Sequence, residues 1–201
     1  MTDARQRSPA AARNTGPILK VLKSHLPATG RVLEIACGSG EHALAAASAF
    51  AGIEWTPSDP NVDAIASVEA WRTDGPENLM APVRLDAMDE ATWPEGPFKA
   101  LFCANMVHIS SWTATEGLMR LASRVLVNPG GLLALYGPYR ESDRVLADSN
   151  AAFDADLKAR DPDWGLRDRD VVVAEAMKNG LAHTLRVAMP ANNLMLLFRR
   201  A

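Results

Sequence analysis

The chain has 201 residues, 48% of them apolar and 22% charged, with a net charge of −3. Those values suit one soluble globular domain with a substantial core, and the lack of a basic block removes the electrostatic footprint of a nucleic-acid binder. The two cysteines, Cys37 and Cys103, stand at no metal-ligand spacing, so no metal is expected, and a reduced pair suits the cytoplasm. No apolar run reaches the length of a membrane span, and Met1–Arg7 lacks the apolar centre of a signal peptide.

Taken in order, residues 1–7 read as a mobile tail. Ser8-Pro9 is an N-cap and first-turn pair, opening a short helix over residues 10–14. Ile18, Leu19, Val21, Leu22 and Leu26 follow helical spacing until Pro27 and Gly30 stop the run. This leading helical region, residues 1–30, is an addition to the fold that follows.

Val32-Leu33-Glu34-Ile35-Ala36 is a short apolar run of the kind buried on both faces of a parallel sheet. Gly38, Ser39 and Gly40 come next, and then Glu41–Ala49, rich in helix-forming alanine. Strand, glycine turn and helix bring a nucleotide-like ligand against backbone N–H groups, and a Cβ at Gly38 or Gly40 would obstruct the turn or the ligand. The spacing Gly38-x-Gly40-x-x-Ala43 fits a dinucleotide loop. Glu34, four residues before Gly38, fits a second pattern, described below.

Ile53–Pro57 is the second strand. Asp59 lies 19 residues beyond Gly40, where a carboxylate accepts hydrogen bonds from a ribose; it also stands where it would cap the next helix, Val62–Arg72. Val83–Asp86 is a third strand ending in an acid. Phe98–Ala104 is a fourth, followed by Asn105, Met106, Val107 and His108 at the strand end where open α/β sheets place ligands. A helix over residues 112–127 leads to the turn Asn128–Gly131 and a fifth strand, Leu132–Tyr136. Residues 140–165 form a polar excursion with a helix over Ala151–Arg160, long enough to act as a cover. A helix over Asp168–Lys178 and two closing strands, Ala182–Met189 and Leu194–Arg199, complete the chain. The fold class is α/β: a seven-stranded, mostly parallel, Rossmann-like sheet with a C-terminal antiparallel hairpin and helices on both faces, all in one domain.

The loop Glu34-Ile-Ala36-Cys-Gly38-Ser-Gly40 resembles the first motif of class I S-adenosylmethionine (SAM) methyltransferases, with Ala36 in place of the usual first glycine. More specifically, the chain resembles an uncharacterised methyltransferase-like family shared by bacteria and animals. The matching stretches run from end to end: Ser8–Asn14, Val32–Gly40, Trp55–Pro60, Phe102–Met106 with His108, and Trp112–Gly117. Pro129–Gly131, Leu135–Pro138, Ser149–Asp154, Trp164–Asp168 and Met189–Leu194 complete them. The resemblance implies the class I SAM-methyltransferase fold and SAM as cofactor, with S-adenosylhomocysteine (SAH) as product. It implies Glu34, Ala36, Gly38, Ser39, Gly40, Asp59, Asp86, Asn105 and Met106 as cofactor-binding positions, with Asp86 facing the adenine amino group.

Methyl transfer from a sulfonium needs the acceptor held in line, and a base only when the acceptor must lose a proton. His108, after the fourth strand, is the candidate base; Tyr139 is a second catalytic candidate, facing the acceptor or packing under the cover. Arg13, Asn14, Tyr136, Arg140, Asn150 and Asn192 lie on loops or element ends and are candidate acceptor contacts, arginines suiting a carboxylate or phosphate. The alternative for each is a structural tie between cover, hairpin and sheet. Residues 8–17 and 140–165 are expected to close over the methyl side, making an enclosed chamber for a small-molecule acceptor, with O- or S-methylation favoured. No nucleic acid or membrane is expected as partner, and the chain is expected as a monomer or homodimer. Two rivals remain: an NAD-dependent oxidoreductase using the same loop, although Tyr136 is followed four residues later by Arg140 rather than lysine, and a non-catalytic SAM-binding protein.

Overall fold

In a computed structural model, which describes residues 3–201, seven strands form one sheet in the order β3-β2-β1-β4-β5-β7-β6. The strands are β1 (Gly30–Ile35), β2 (Ile53–Asp59), β3 (Val83–Arg84), β4 (Ala100–Ala104), β5 (Leu132–Gly137), β6 (Leu181–Met189) and β7 (Asn193–Arg200). The first five run parallel, and β7 enters antiparallel between β5 and β6. Chain direction across the sheet reverses between β1 and β4, which is the switch point where α/β sheets open a ligand crevice.

Side chains alternate between the two faces, as a period of two requires. Leu33, Leu101, Cys103, Leu133, Leu135 and Phe198 face a core shared with α4 (Trp112–Val125) and α6 (Arg169–Lys178). Val32, Trp55, Phe102, Ala134, Tyr136 and Met195 face the opposite core, beneath α1 (Pro9–His25) and α2 (Glu41–Ala49). The remaining helices are α3 (Val62–Arg72), after β2, and α5 (Asp148–Arg160), within the cover.

Several boundaries differ from the sequence expectation, β3 among them, which stops at Arg84 rather than Asp86, and three have a local physical reason. Helix α1 is one helix rather than two pieces; it runs through Pro17 and gives up the hydrogen bond that Pro17 cannot donate. Strand β2 continues through Pro57 to Asp59. The Trp55 N–H points to the β3 side, toward the Asn78 carbonyl, so the Pro57 nitrogen points the same way, and β3 pairs only with Ser58 and Asp59. Helix α5 begins at Asp148, three residues early, where an acid in the first turn favours the helix dipole.

The larger departure is at the start of the chain. Residues 3–8 are a strap across α2 and α3, not a loose tail; Met1 and Thr2 lie outside the described residues. Gln6 N–H donates to Ser67 Oγ (2.8 Å), and Ser8 N–H donates to Glu41 Oε2. Arg5 donates to the Ala70 carbonyl (3.1 Å) and pairs with Asp74, while the Arg5 and Arg7 guanidiniums lie 5.2 and 5.0 Å from the Trp71 ring centre. Stacking and backbone pairing together order a segment whose composition alone shows neither.

Candidate functional site

The glycine loop is built from its backbone outward. Gly38 has φ +53°, and a Cβ there would meet no atom within 4 Å, so the open side of the loop faces a cavity. Gly40 has φ +81° and serves packing instead: a Cβ would come within 2.8 Å of Val68 in α3. The Ser39 carbonyl accepts from Ser67 Oγ (2.8 Å) and Trp71 Nε1 (3.0 Å), so α3 holds the loop from outside. Ala36 has φ +56°, a region costly for any residue with a Cβ. Its replacement of glycine is therefore not neutral, since the fold demands a left-handed backbone at that position.

Asp59 ends β2 with one carboxylate oxygen accepting from Gly38 N–H (3.0 Å) and the other from Asn61 N–H (2.9 Å). The N-cap of α3 is Asn61, whose side chain accepts from Asp63 N–H. Asp59 thus fixes the glycine loop to β2, and each oxygen keeps a lone pair for a further donor.

These groups wall a cavity of about 320 Å³ at the carboxyl ends of β1, β2 and β4. Ala36, Gly38 and Asp59 line one side, Asp86 and Met88 a second, and Met106 and Ile109 a third. Asp86 Oδ1 accepts from Met88 N–H, which curls the chain after β3 around the cavity. The space has the size and mostly apolar lining of a small-molecule site.

Of the expected cofactor positions, Ala36, Gly38, Asp59, Asp86 and Met106 are in the wall, and Glu34, Ser39, Gly40 and Asn105 are not. Glu34 is buried beneath the loop and accepts from Trp55 Nε1 (2.6 Å). Burial pushes its carboxyl up to about 8, despite the tryptophan hydrogen bond, and the Asp59 charge adds to the rise. Asn105 has φ +66° and donates its backbone N–H to the Tyr136 carbonyl (2.7 Å), turning the chain out of β4. The wall residues that sequence reasoning missed, Met88 and Ile109 among them, follow strand ends but carry no charge or motif to mark them.

His108 ends a one-turn helix, Met106–His108, and is buried. Its ring meets Phe153 of α5 edge-on, with centroids 5.6 Å apart, and its carbonyl accepts from Gly165 N–H (3.0 Å). Burial, joined by the nearby Arg167 charge, lowers its pKa to about 4, so the imidazole is neutral at pH 7. Arg167 clamps the same turn through the carbonyls of Val107 (3.1 Å) and Ser110 (2.7 Å).

The cover lies across the ends of β4, β5 and the β6–β7 turn. Asn150 Nδ2 donates to the Asn192 carbonyl (3.1 Å), and Asn192 Nδ2 to Ser149 Oγ (3.2 Å). Arg140 pairs with Asp154, which also takes Lys158 Nζ (2.8 Å) and Leu166 N–H (2.8 Å). Tyr136 is in the core beneath α1, and its hydroxyl has no partner among the described residues; burial pushes it up to about 12. Tyr139 is buried on the other face, its hydroxyl also unpartnered, and burial raises its pKa far above the usual range. Neither phenol is disposed to ionise near neutrality.

Arg13 is exposed on α1 and Asn14 half-buried beside it. At the next residue, Thr15 Oγ1 meets His42 Nδ1 at 2.9 Å, joining α1 to α2. The structure therefore packs the cover on His108 and, through Asn150, on Asn192, but gives residues 8–17 no place in the wall of the cavity beside Asp59.

Residues 5–200 match the family described as protein of unknown function (DUF938). The chain belongs to that family. Among solved structures it is similar to an O-methyltransferase family protein from Burkholderia thailandensis, at 16% identity and a TM-score of 0.78, covering 96% of this chain and 57% of that one. It is also similar to the mitomycin 7-O-methyltransferase MmcR, at 17% identity and 0.79, covering 96% and 54%. A third is CalO1, a methyltransferase in calicheamicin biosynthesis solved with SAH bound, at 16% and 0.75, covering 96% and 54%. The chain spans a little over half the length of these proteins. The likeness shows the fold: a class I methyltransferase sheet, mostly parallel with an antiparallel C-terminal pair. No helix among the described residues is long and apolar enough to cross a membrane.

Proposed function

We propose that the protein is a SAM-dependent methyltransferase acting on a small-molecule acceptor, with O- or S-methylation favoured. The observation that carries this reading is the pairing of Asp59 with the glycine loop at the mouth of the cavity. Ala36, Gly38 and Asp59 would hold the ribose and methionine end of the cofactor, and Asp86, Met88 and Met106 its adenine end. When bound, the cofactor supplies an already activated methyl group, so the chain's task is to hold, align and exclude water.

His108 supports the choice of O or S. A neutral imidazole accepts a proton from a hydroxyl or thiol as the heteroatom attacks. The acidic-proline-proline-aromatic motif that serves amino groups is replaced here by Asn105-Met106-Val107-His108. The cover packed on His108 supports an acceptor small enough to sit beneath it. Cytoplasmic placement and a monomer or homodimer accompany this reading.

The loop fits a dinucleotide less well. Its first free donor, Gly38 N–H, is taken by Asp59, and the Glu41 carboxylate stands at the start of α2 beside Ser39 Oγ (3.0 Å). A pyrophosphate there would meet like charge at the helix end that should attract it. Thermal-shift measurements with SAM, SAH and NAD test the assignment: the first two should raise the melting temperature and NAD should not. A rise with NAD alone would overturn it.

A further inference from the structure

Met88 is in the wall of the cavity beside Asp59 and is also 52% exposed. The chain that carries it after β3 is held on both sides. Met88 N–H donates to Asp86 Oδ1 (2.8 Å). Ala87 lies against α4 so closely that a Cβ on Gly117 would collide with the Ala87 carbonyl. From this fixed backbone the side chain reaches the start of α4. Its sulfur lies 3.6 Å from Ser111 Oγ and 3.4 Å from Thr113 Oγ1. Ile109 and Ser110, just before them in the chain, line the same cavity. The thioether therefore joins the wall after β3 to the wall after β4.

The two hydroxyls are turned away from their usual work. Ser111 is the N-cap of α4, where a serine ordinarily accepts from a backbone N–H of the first turn, and its side chain makes no such bond. It meets Thr113 Oγ1 (2.7 Å) and the sulfur instead. One hydroxyl proton serves the bond between the two oxygens, which leaves the other for sulfur, a weak acceptor. A sulfoxide oxygen at Met88 would give the same hydroxyls a much stronger partner.

Exposure sets this residue apart from most of the other sulfur in the chain. Met106, Met119, Met189 and Met195 are buried, and Met80 is half-buried. Cys37 and Cys103 are buried, and burial raises both thiol pKa values, so neither offers a thiolate to an oxidant. Met177 in α6, at 64%, is the one other exposed methionine among the described residues, and it is not in the cavity wall.

We propose that Met88 is a site of oxidation by peroxide, and that the sulfoxide weakens cofactor binding in the cavity beside Asp59. This rests on the methyl-transfer reading above. A sulfur lone pair attacks one oxygen of hydrogen peroxide, and the sulfur–oxygen bond forms as the oxygen–oxygen bond breaks. Sulfur is oxidised by two electrons. The transferred oxygen gives up its proton to the departing one, which leaves as water. The new oxygen accepts from Ser111 and Thr113 and puts a dipole on a wall that Met88, Met106 and Ile109 otherwise keep apolar. A cofactor in the cavity covers the sulfur, so cofactor and peroxide compete for this side chain.

The test treats the protein with hydrogen peroxide, follows each methionine by peptide mass spectrometry and measures SAH binding by calorimetry. Met88 should oxidise together with Met177 and ahead of the buried methionines. SAH at about ten times its dissociation constant should slow oxidation of Met88 about tenfold and leave Met177 as it was. Oxidation should weaken SAH binding at least about fivefold in the wild type and equally in Met177→Leu. Met88→Leu, whatever its starting affinity, should lose none on treatment. Met88 left unmodified while Met177 is oxidised, a Met88 sulfoxide with unchanged SAH affinity, or an equal loss in Met88→Leu would overturn the site, while SAH binding to untreated protein leaves the methyltransferase reading intact. Failure of untreated protein to bind SAH would remove both.

Discussion

Ala36 and Glu34 show how closely the site's residues are tied to the fold's stability. A non-glycine residue at φ +56° is strained by about 1–3 kcal/mol, partly offset in the unfolded chain by the lower entropy of alanine. Ala36→Gly should therefore stabilise the protein by about 0.5–1 kcal/mol, seen as a higher melting temperature; a fall would mean that the methyl group packs favourably enough to offset its backbone. Glu34 gives a pH signature. Its folded pKa of about 8 lies above the unfolded carboxylate value, so the folded state holds a proton that the unfolded state has lost. Stability should fall as pH rises from about 4.5 to 8, by up to about 1.4 kcal/mol per unit from this group. Glu34→Gln keeps an acceptor for Trp55 Nε1 and should flatten that slope; an unchanged slope would place the titration elsewhere. His108 has the opposite shift. Being neutral down to about pH 4, it should support a rate that stays level from pH 5 upward, and His108→Gln should lower kcat by about 100-fold or more. A rate that instead rises through pH 6.5 would contradict the buried, neutral histidine.

At the scale of elements, two segments join the site to the sheet. The cover hangs on Asp154, whose side chain is 7% exposed and which holds Arg140, Lys158 and the Leu166 N–H. Asp154→Ala leaves a buried N–H without its acceptor and should cost about 2–4 kcal/mol, with faster proteolysis near residues 161–165. Unchanged protease resistance would mean that the Asn150–Asn192 bonds suffice. The strap should also matter: Arg5→Ala with Arg7→Ala removes both stacks on Trp71 and should lower stability by about 1–2 kcal/mol. The sequence carried the cover, because residues 140–165 are too polar and too long for a plain connection. It did not carry the strap. Arg5, Gln6 and Arg7 become ordered only against Trp71, Ala70 and Ser67, more than 60 residues away. The pairing of Arg140 with Asp154 was hidden for the same reason, since only the fold sets the two side by side.

Across the whole molecule, strand order and site position were legible together. A buried apolar run, a glycine turn and an alanine-rich helix fix β1 and α2, and the alternating series that follows places the crevice at β1 and β4. Asp59 and Asp86 were legible because acids at strand ends stand out; Met88 and Ile109 were not, because apolar residues after a strand are indistinguishable from core. The grip of Arg186 and Arg169 on Glu141 was beyond reach, since it ties the cover to β6 and α6. If the cavity beside Asp59 holds SAM, calorimetric titration of the wild-type protein with SAH, repeated on Asp59→Ala, should show it directly. The dissociation constant should lie in the micromolar range, about −8 kcal/mol, and the substitution should weaken it at least about tenfold. No heat with SAH, or an affinity that Asp59→Ala leaves unchanged, would contradict it.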